Sequence, residues 1–214
     1  MARRTGSNGA QTAETLRRAA LTLFARHGYA AVSMRMIAAE VGVQPGALYN
    51  YMGSKQDLLR DLMVSHMEEL LAAWTARAPD PDPDPVVALR AFVRFHIRHH
   101  IGREDAVFIS YMELRNLEPD NFAAVHALRG AYESALRVIL EDGAAQGVLH
   151  APDAPVATRA IISMLTGVTN WFRGSGRLSA DDIEDIYTDM TLRAVSPTAK
   201  GAIHQGEDPC STHP

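Results

Sequence analysis

Residues 33–59, SMRMIAAEVGVQPGALYNYMGSKQDLL, decide how this chain is read. They spell two short helices joined by a tight turn, then the capped start of a third. Ser33 can cap the first helix, because its hydroxyl accepts a hydrogen bond from a free N–H of the opening turn. Met34, Ile37, Ala38 and Val41 follow at i, i+3, i+4 and i+7, which makes one buried stripe. Gly42 comes next and can take the left-handed conformation that ends a helix. Val43 is apolar in the turn and packs between the two helices. Gln44 then stands at a cap position and Pro45 at the first helical position, where a missing N–H costs little. Leu48 and Met52 point inward, and Gln44, Ala47, Tyr49, Asn50 and Tyr51 point outward. Gly53 stops this helix, and Ser54 to Asp57 is a capping box that opens the next. Such a pattern is a helix-turn-helix, which sets one short helix in the DNA major groove.

The plainer reading is a helical hairpin buried in a core. A small polar-aromatic outer face with basic neighbours favours DNA over that reading. Lys55 lies in the first turn of the third helix, where its charge opposes the helix dipole. The placement makes sense if Lys55 and the nearby N–H groups hold a DNA phosphate. Tyr49, Tyr51 and Lys55 are thus expected on phosphates, and Gln44, Ala47 and Asn50 on base edges. Ser33, Met34, Arg35, Pro45 and Gly46 complete the expected DNA-facing set.

Residues 12–60 resemble the N-terminal domain of the TetR family of transcriptional regulators. The resemblance rests on Ala25, His27-Gly28-Tyr29, Ser33, Ile37-Ala38, Val41-Gly42-Val43, Gly46, Leu48-Tyr49, Tyr51, Ser54-Lys55 and Leu58. It covers about a quarter of the chain, in order and spacing. Gln44 stands where the family usually has Ser or Thr, and Met52 where it usually has Phe. The first bears on a cap or a DNA contact, and the second is a volume-tolerant core exchange.

The chain has 214 residues and is 47% hydrophobic, enough for one or two packed domains. No run of 18 apolar residues exists, so no membrane span is expected. The basic start MARRTGSNGAQTAE lacks the apolar core of a secretory signal. The single cysteine, Cys210, excludes an intramolecular disulfide and a cysteine metal cluster, and suits a cytoplasmic protein. The net charge of −4 is split unevenly. Residues 1–60 carry eight Lys/Arg against three acids, a net of +5, which leaves −9 for the rest. A basic head on an acidic body attracts DNA to one end.

The expected fold is all-α: an N-terminal three-helix helix-turn-helix domain plus a larger helical ligand-binding and dimerisation domain. Residues 1–10 read as a disordered basic arm, 11–53 as the helix-turn-helix domain, 54–195 as the helical body and 196–214 as a disordered tail. Helices are expected over 12–27, 54–77, 86–101, 103–117, 121–146, 155–173 and 179–195, besides the two short ones. The segment APDPDPDP, 78–85, reads as a stiff acidic connector.

The 155–173 helix is apolar nearly all round, which predicts burial on two sides. The 179–195 helix shows one stripe. Met164, Val168, Ile183, Ile186, Tyr187 and Met190 are the expected interface of a homodimer, which the family resemblance also implies. Two heads spaced about 34–36 Å apart read a palindromic operator in double-stranded DNA, where one head reads too few bases.

The body helices are expected to enclose a pocket lined by Phe92, Phe95, His96, His99, His100, Phe108, Tyr111, Met112, Asn170, Trp171 and Arg173. Apolar walls with a few polar handles suit a small molecule, although ordinary core is the competing reading for each residue. His96 and His100 have the i, i+4 spacing of metal ligands. No carboxylate or thiol stands beside them as a third ligand, so a polar handle is expected there and no metal. The run from Asn170 to Ser179 resembles regulators that respond to acyl-coenzyme A thioesters, with Arg98, Arg103 or Arg173 available to coenzyme phosphates.

These readings converge on a repressor released from its operator by a small hydrophobic effector, an acyl-CoA thioester being one candidate. An aromatic or drug-like effector, a metal at the histidines, and an all-helical ligand-binding protein without DNA binding are the alternatives. No cofactor is expected. An enzyme is not expected either, since no Ser/His/Asp order or phosphate loop is present.

Overall fold

The computed structural model describes residues 6–77 and 84–197. Among these residues all regular structure is helical: α1 Gly6–His27, α2 Met34–Val41, α3 Pro45–Leu48, α4 Lys55–Arg77, α5 Pro85–His100, α6 Glu104–Met112, a 3-10 turn at Leu114–Asn116, α7 Pro119–Ala145, α8 Ala154–Thr166, α9 Val168–Trp171 and α10 Ala180–Ala194.

The head is α1 to α3 together with the start of α4. Leu16, Ala20 and Phe24 form the fully buried stripe of α1. Ser33 Oγ accepts from Met36 N at 3.3 Å, so the expected cap is made. Gly42 has φ 73°, and Val43 N donates to Ala38 O while Gly42 N donates to Ala39 O. That pair of bonds is a Schellman stop, which needs a residue free to be left-handed. Met52 and Leu48 are buried as expected.

The head core does not close on itself. It includes Leu58, Leu59 and Met63 of α4, and it is completed by Ile109 of α6, Leu117 after the 3-10 turn and Val125 of α7. Further along α4, Met67 and Leu70 enter a second core with Leu89, Phe92, Val93, Leu136, Leu140, Ile161, Leu165 and Ile183. One helix therefore serves two cores in succession, which is why α4 has no single apolar face.

In the body, α5 is the central rod, packed against α7, α8 and α10. Asp84 Oδ1 caps it, accepting from Val86 N at 2.7 Å, and Pro85 takes the first helical position. Gly143 in α7 is required by close approach: a Cβ there would stand 2.4 Å from Leu149 Cδ1. The expected capping box at Ser179 and Asp182 is present, which fixes the start of α10.

Several expectations are corrected. Helix α1 begins at Gly6, so residues 6–10 extend the helix rather than an arm; residues 1–5 lie outside the described residues. Residues 78–83 of the connector and 198–214 of the tail also lie outside them. The recognition helix regularises only over Pro45–Leu48. Beyond it Tyr51 N and Met52 N both turn to Leu48 O, which tightens the chain. The 103–117 helix is two pieces, a helix to Met112 and a 3-10 turn. Pro119 opens α7 rather than only ending its predecessor. The 155–173 helix breaks at Gly167, and Thr169 Oγ1 donates to Thr166 O at the break. Val156 and Trp171 are 57% and 52% exposed in the single chain, so that segment is not buried on two sides by its own fold.

The dimer stripe is also redrawn. Val168 and Ile183 lie in the chain's own core. Ile186 and Met190 are exposed, and Met164 and Tyr187 are half-buried. The inward face of α10 is Ile183, Glu184, Thr188 and Thr191. On this face Ile183 joins the body core, and Glu184, with Asp181 and Asp185 beside it, is ion-paired with Arg94 and Arg98 of α5. No helix among the described residues is long and apolar enough to cross a membrane.

Candidate nucleic-acid interface and effector cavity

Gln44 of the turn between α2 and α3, Pro45 and Gly46 of α3, and Tyr49, Asn50 and Tyr51 after it face solvent, with Ser33 and Arg35 exposed at the start of α2. Tyr49 is 57% and Tyr51 41% exposed, so both rings and their hydroxyls are within reach of a partner. Gln44 makes no side-chain cap bond, so its amide is free to reach outward. Met34 and Ala47 are half-buried. Lys55 is half-buried too, with Nζ 4.0 Å from the centroid of the Tyr29 ring. Desolvation lowers its proton affinity and nearby Glu113 raises it.

Tyr29 is where head meets body. Its N–H donates to Oε1 of the buried Glu113 at 3.1 Å. Gln56 spans the same junction: Nε2 donates to Tyr29 OH at 3.0 Å and to Asn116 O at 2.7 Å, and Oε1 accepts from Glu118 N at 3.1 Å. Sequence reading passed over Gln56, Glu113 and Asn116. The one available signal was Glu113, a lone acid between apolar Met112 and Leu114.

Between α6 and α8–α9 lies a cavity of about 160 Å³, lined by Val107, Phe108, Tyr111, Met112, Ser163, Thr166, Gly167, Thr169 and Asn170. Phe108, Tyr111, Met112 and Asn170 of the expected pocket are thus brought together. Phe92, Phe95, His96, His99 and His100 are not: they are buried in the body. Trp171 lies outside the cavity, its ring stacked on Tyr187. Arg173 Nη1 donates to Phe172 O, and Arg98 is engaged by Glu184 and Asp181. Neither of these arginines lines the cavity.

His96 reaches the cavity indirectly. Its Nδ1 is 3.0 Å from Tyr132 OH and its Nε2 3.1 Å from Thr166 Oγ1, and Thr166 Oγ1 donates to Tyr111 OH at 3.1 Å. Neutral His96 has one donor and one acceptor nitrogen, so it donates to one of these hydroxyls and accepts from the other. The chain of hydrogen bonds ends at the Tyr111 hydroxyl on the cavity wall. Thr166, Ser163 and Tyr132 were missed in sequence, being polar residues inside apolar helical runs.

The four histidines of α4 and α5 are neutral. Burial pushes His66 and His99 to about 4 and His100 to about 3; Arg103 pushes all three the same way, helped by His99 at His66, by Arg77 at His99, and by His66 and His99 at His100. His96, fully buried, is lowered well below its usual value. Among the described residues no group of three His, Cys, Asp or Glu is arranged to hold a metal ion.

An all-helical chain with an exposed helix-turn-helix, hydrogen-bonded to a helical body that holds a cavity, has the build of a ligand-responsive transcriptional regulator. Comparison with known proteins agrees. Residues 16–62 match "Bacterial regulatory proteins, tetR family", and residues 82–195 match "Tetracyclin repressor-like, C-terminal domain". A tetR-family regulatory protein from Rhodococcus RHA1 is similar in structure, with TM-score 0.81, 31% identity and 88% and 98% of the two chains covered. The crystal structure of AibR in complex with isovaleryl coenzyme A and operator DNA has TM-score 0.76 and 26% identity, over 84% of this chain and 97% of that one. The transcriptional repressor KstR2 of Rhodococcus jostii is 24% identical over 175 residues, 81% of this chain and 85% of that protein. The chain belongs to the TetR family, and it is a DNA-binding transcriptional regulator.

Proposed function

We propose that this protein is a homodimeric repressor released from a palindromic operator by a short acyl thioester. The observation that carries the reading is the double role of α6. One face of this nine-residue helix lines the cavity with Phe108, Tyr111 and Met112; the other places Ile109 in the head core, and Glu113 follows to hold Tyr29 N. A ligand that displaces α6 therefore strains the head directly. Repression is relieved if the ligand binds the DNA-incompetent arrangement more tightly.

The cavity suits a small apolar group with one acceptor. Its 160 Å³ is close to the roughly 150 Å³ that takes up a benzene-sized guest. The Tyr111 hydroxyl lines the cavity and can donate to a carbonyl oxygen, which a thioester supplies. AibR, similar in structure, binds isovaleryl coenzyme A and operator DNA, and KstR2 is a repressor. For the dimer, the outward apolar residues Val156, Trp171, Ile186 and Met190 of α8 to α10 supply a face for a second copy. On the DNA, Gln44, Ala47 and Asn50 read base edges, while Tyr49, Tyr51 and Lys55 hold phosphates, with Ser33, Met34, Arg35, Pro45 and Gly46 beside them.

Binding to a labelled fragment from upstream of its own gene, with a series of acyl-CoAs of two to sixteen carbons, tests this. Release by the short members, weakened in Tyr111→Phe, is the expected result. Specific binding untouched by every thioester keeps the regulator and discards the effector.

A further inference from the structure

We propose that the groove between α7 and α8 is the second half of the effector site and takes phosphate groups, those of the coenzyme that carries the acyl thioester, on Arg129, Arg137 and Arg159; the assignment rests on the thioester reading above. The groove holds about 450 Å³, within the roughly 300–1,000 Å³ that small-molecule sites occupy.

The lining sets the charge of the occupant. Three guanidiniums, those of Arg129, Arg137 and Arg159, stand against one carboxylate, Glu133. Arg159 Nε is 3.9 Å from Glu133 Oε2, and Arg137 Nε is 3.7 Å from Glu141 Oε1 on its own helix. Both separations are too long for hydrogen bonds. The N–H donors of these two exposed arginines are thus not taken up by any acceptor among the described residues. Phosphate oxygens match such forks in pairs. Arg129 is half-buried and joins groove to cavity. Its Nη1 donates to Ser110 O at 3.2 Å, and its guanidinium carbon lies 4.4 Å from the centroid of the Tyr111 ring. Tyr111 in turn lines the cavity behind α6. Helix α8 gives the two hollows a common wall: Arg159 of the groove is followed at i+4 and i+7 by Ser163 and Thr166 of the cavity, on one helical face. The rise from Arg159 to Thr166 is about 10 Å, a span that the flexible pantetheine arm of coenzyme A covers. The arginines that the sequence offered for phosphates are engaged elsewhere: Arg98 by Glu184 and Asp181, Arg173 by Phe172 O and Arg103 by His99 O.

Calorimetric titration of the full chain with butanoyl-CoA, with butanoyl-pantetheine and with inorganic pyrophosphate tests the groove. Butanoyl-CoA should bind about tenfold or more tightly than butanoyl-pantetheine, which has the same acyl group and no phosphate. Arg137→Gln/Arg159→Gln, at two exposed positions, should erase that preference and the saturable binding of pyrophosphate, and leave butanoyl-pantetheine unchanged. Arg17→Gln/Arg18→Gln removes as much charge from α1 and should change none of the three. Equal affinity of the unaltered chain for the two thioesters, a preference that survives Arg137→Gln/Arg159→Gln, or one lost equally in Arg17→Gln/Arg18→Gln overturns the groove and leaves the effector reading standing. Binding of neither thioester overturns the effector reading, and pyrophosphate then decides the groove: saturable binding lost in Arg137→Gln/Arg159→Gln keeps it as a phosphate site, and no such binding removes it.

Discussion

The turn at 42–53 and helix α5 at 85–100 both carry polar and aromatic residues at helical spacing, and both stood out in the sequence as sites. In the first, the polar residues are outside. Gln44, Asn50, Tyr49 and Tyr51 face solvent because Leu48 and Met52 claim the only inward positions of a short element. In the second, the polar residues are inside. His96, His99 and His100 are buried because α5 is covered by α4, α7, α8 and α10, and no outward face is left for them except that of Arg94 and Arg98. The same residue types thus make a surface for a partner in one place and a hydrogen-bonded interior in the other. What separates them is how many neighbours surround the helix.

The largest effect should come from asking whether the two regions unfold together. Phe24 is fully buried in the head core, which Ile109 and Val125 of the body complete. Phe24→Ala should cost about 3–5 kcal/mol, read as one cooperative thermal transition at lower Tm. Two separated transitions would show that the head is an independent unit after all.

On the body side, Gly143→Ala drives a methyl to within 2.4 Å of Leu149 Cδ1. The expected loss is about 1–3 kcal/mol in a urea titration, with no change in DNA sequence preference.

The buried histidines sharpen the contrast through pH. His66 and His100 titrate near 4 and 3 when folded, pushed down first by burial. Their unfolded value is about 6.5. Stability is therefore fully present above about pH 6.5 and is lost as pH falls toward 4, because the unfolded chain binds protons first. The urea midpoint should drop between pH 7 and pH 5, and His66→Phe should flatten that slope. A slope unchanged by the substitution would place the proton uptake elsewhere.

A smaller effect is expected at the junction. Gln56→Ala removes three hydrogen bonds of the Gln56 amide, one to Tyr29 and two to the segment 116–118. A loss of about 1–2 kcal/mol is expected, with faster amide exchange at Tyr29 and unchanged exchange in α10. The smallest should be Ser33→Ala, about 1 kcal/mol for the lost cap, confined to exchange in α2.

The sequence by itself determined the head and most helix ends. Caps, stops and short-range stripes are contacts between residues three to five apart, so Ser33, Gly42, Pro45, Leu48 and the Ser179–Asp182 box could be read without a structure. The family followed from the same local pattern. Only the tertiary structure decided which long-range partners each face would meet. It placed His96 in a relay with Tyr132, Thr166 and Tyr111, contacts that span tens of residues. It turned Ile183 inward beside a salt-bridged Glu184, moving part of the expected dimer stripe into the core. It also broke the 155–173 helix at Gly167 and opened the cavity against α6. Periodicity says that a helix has a buried face. Which neighbours cover it depends on charge pairs and packing volumes contributed by distant segments, and these are fixed only when the chain is folded.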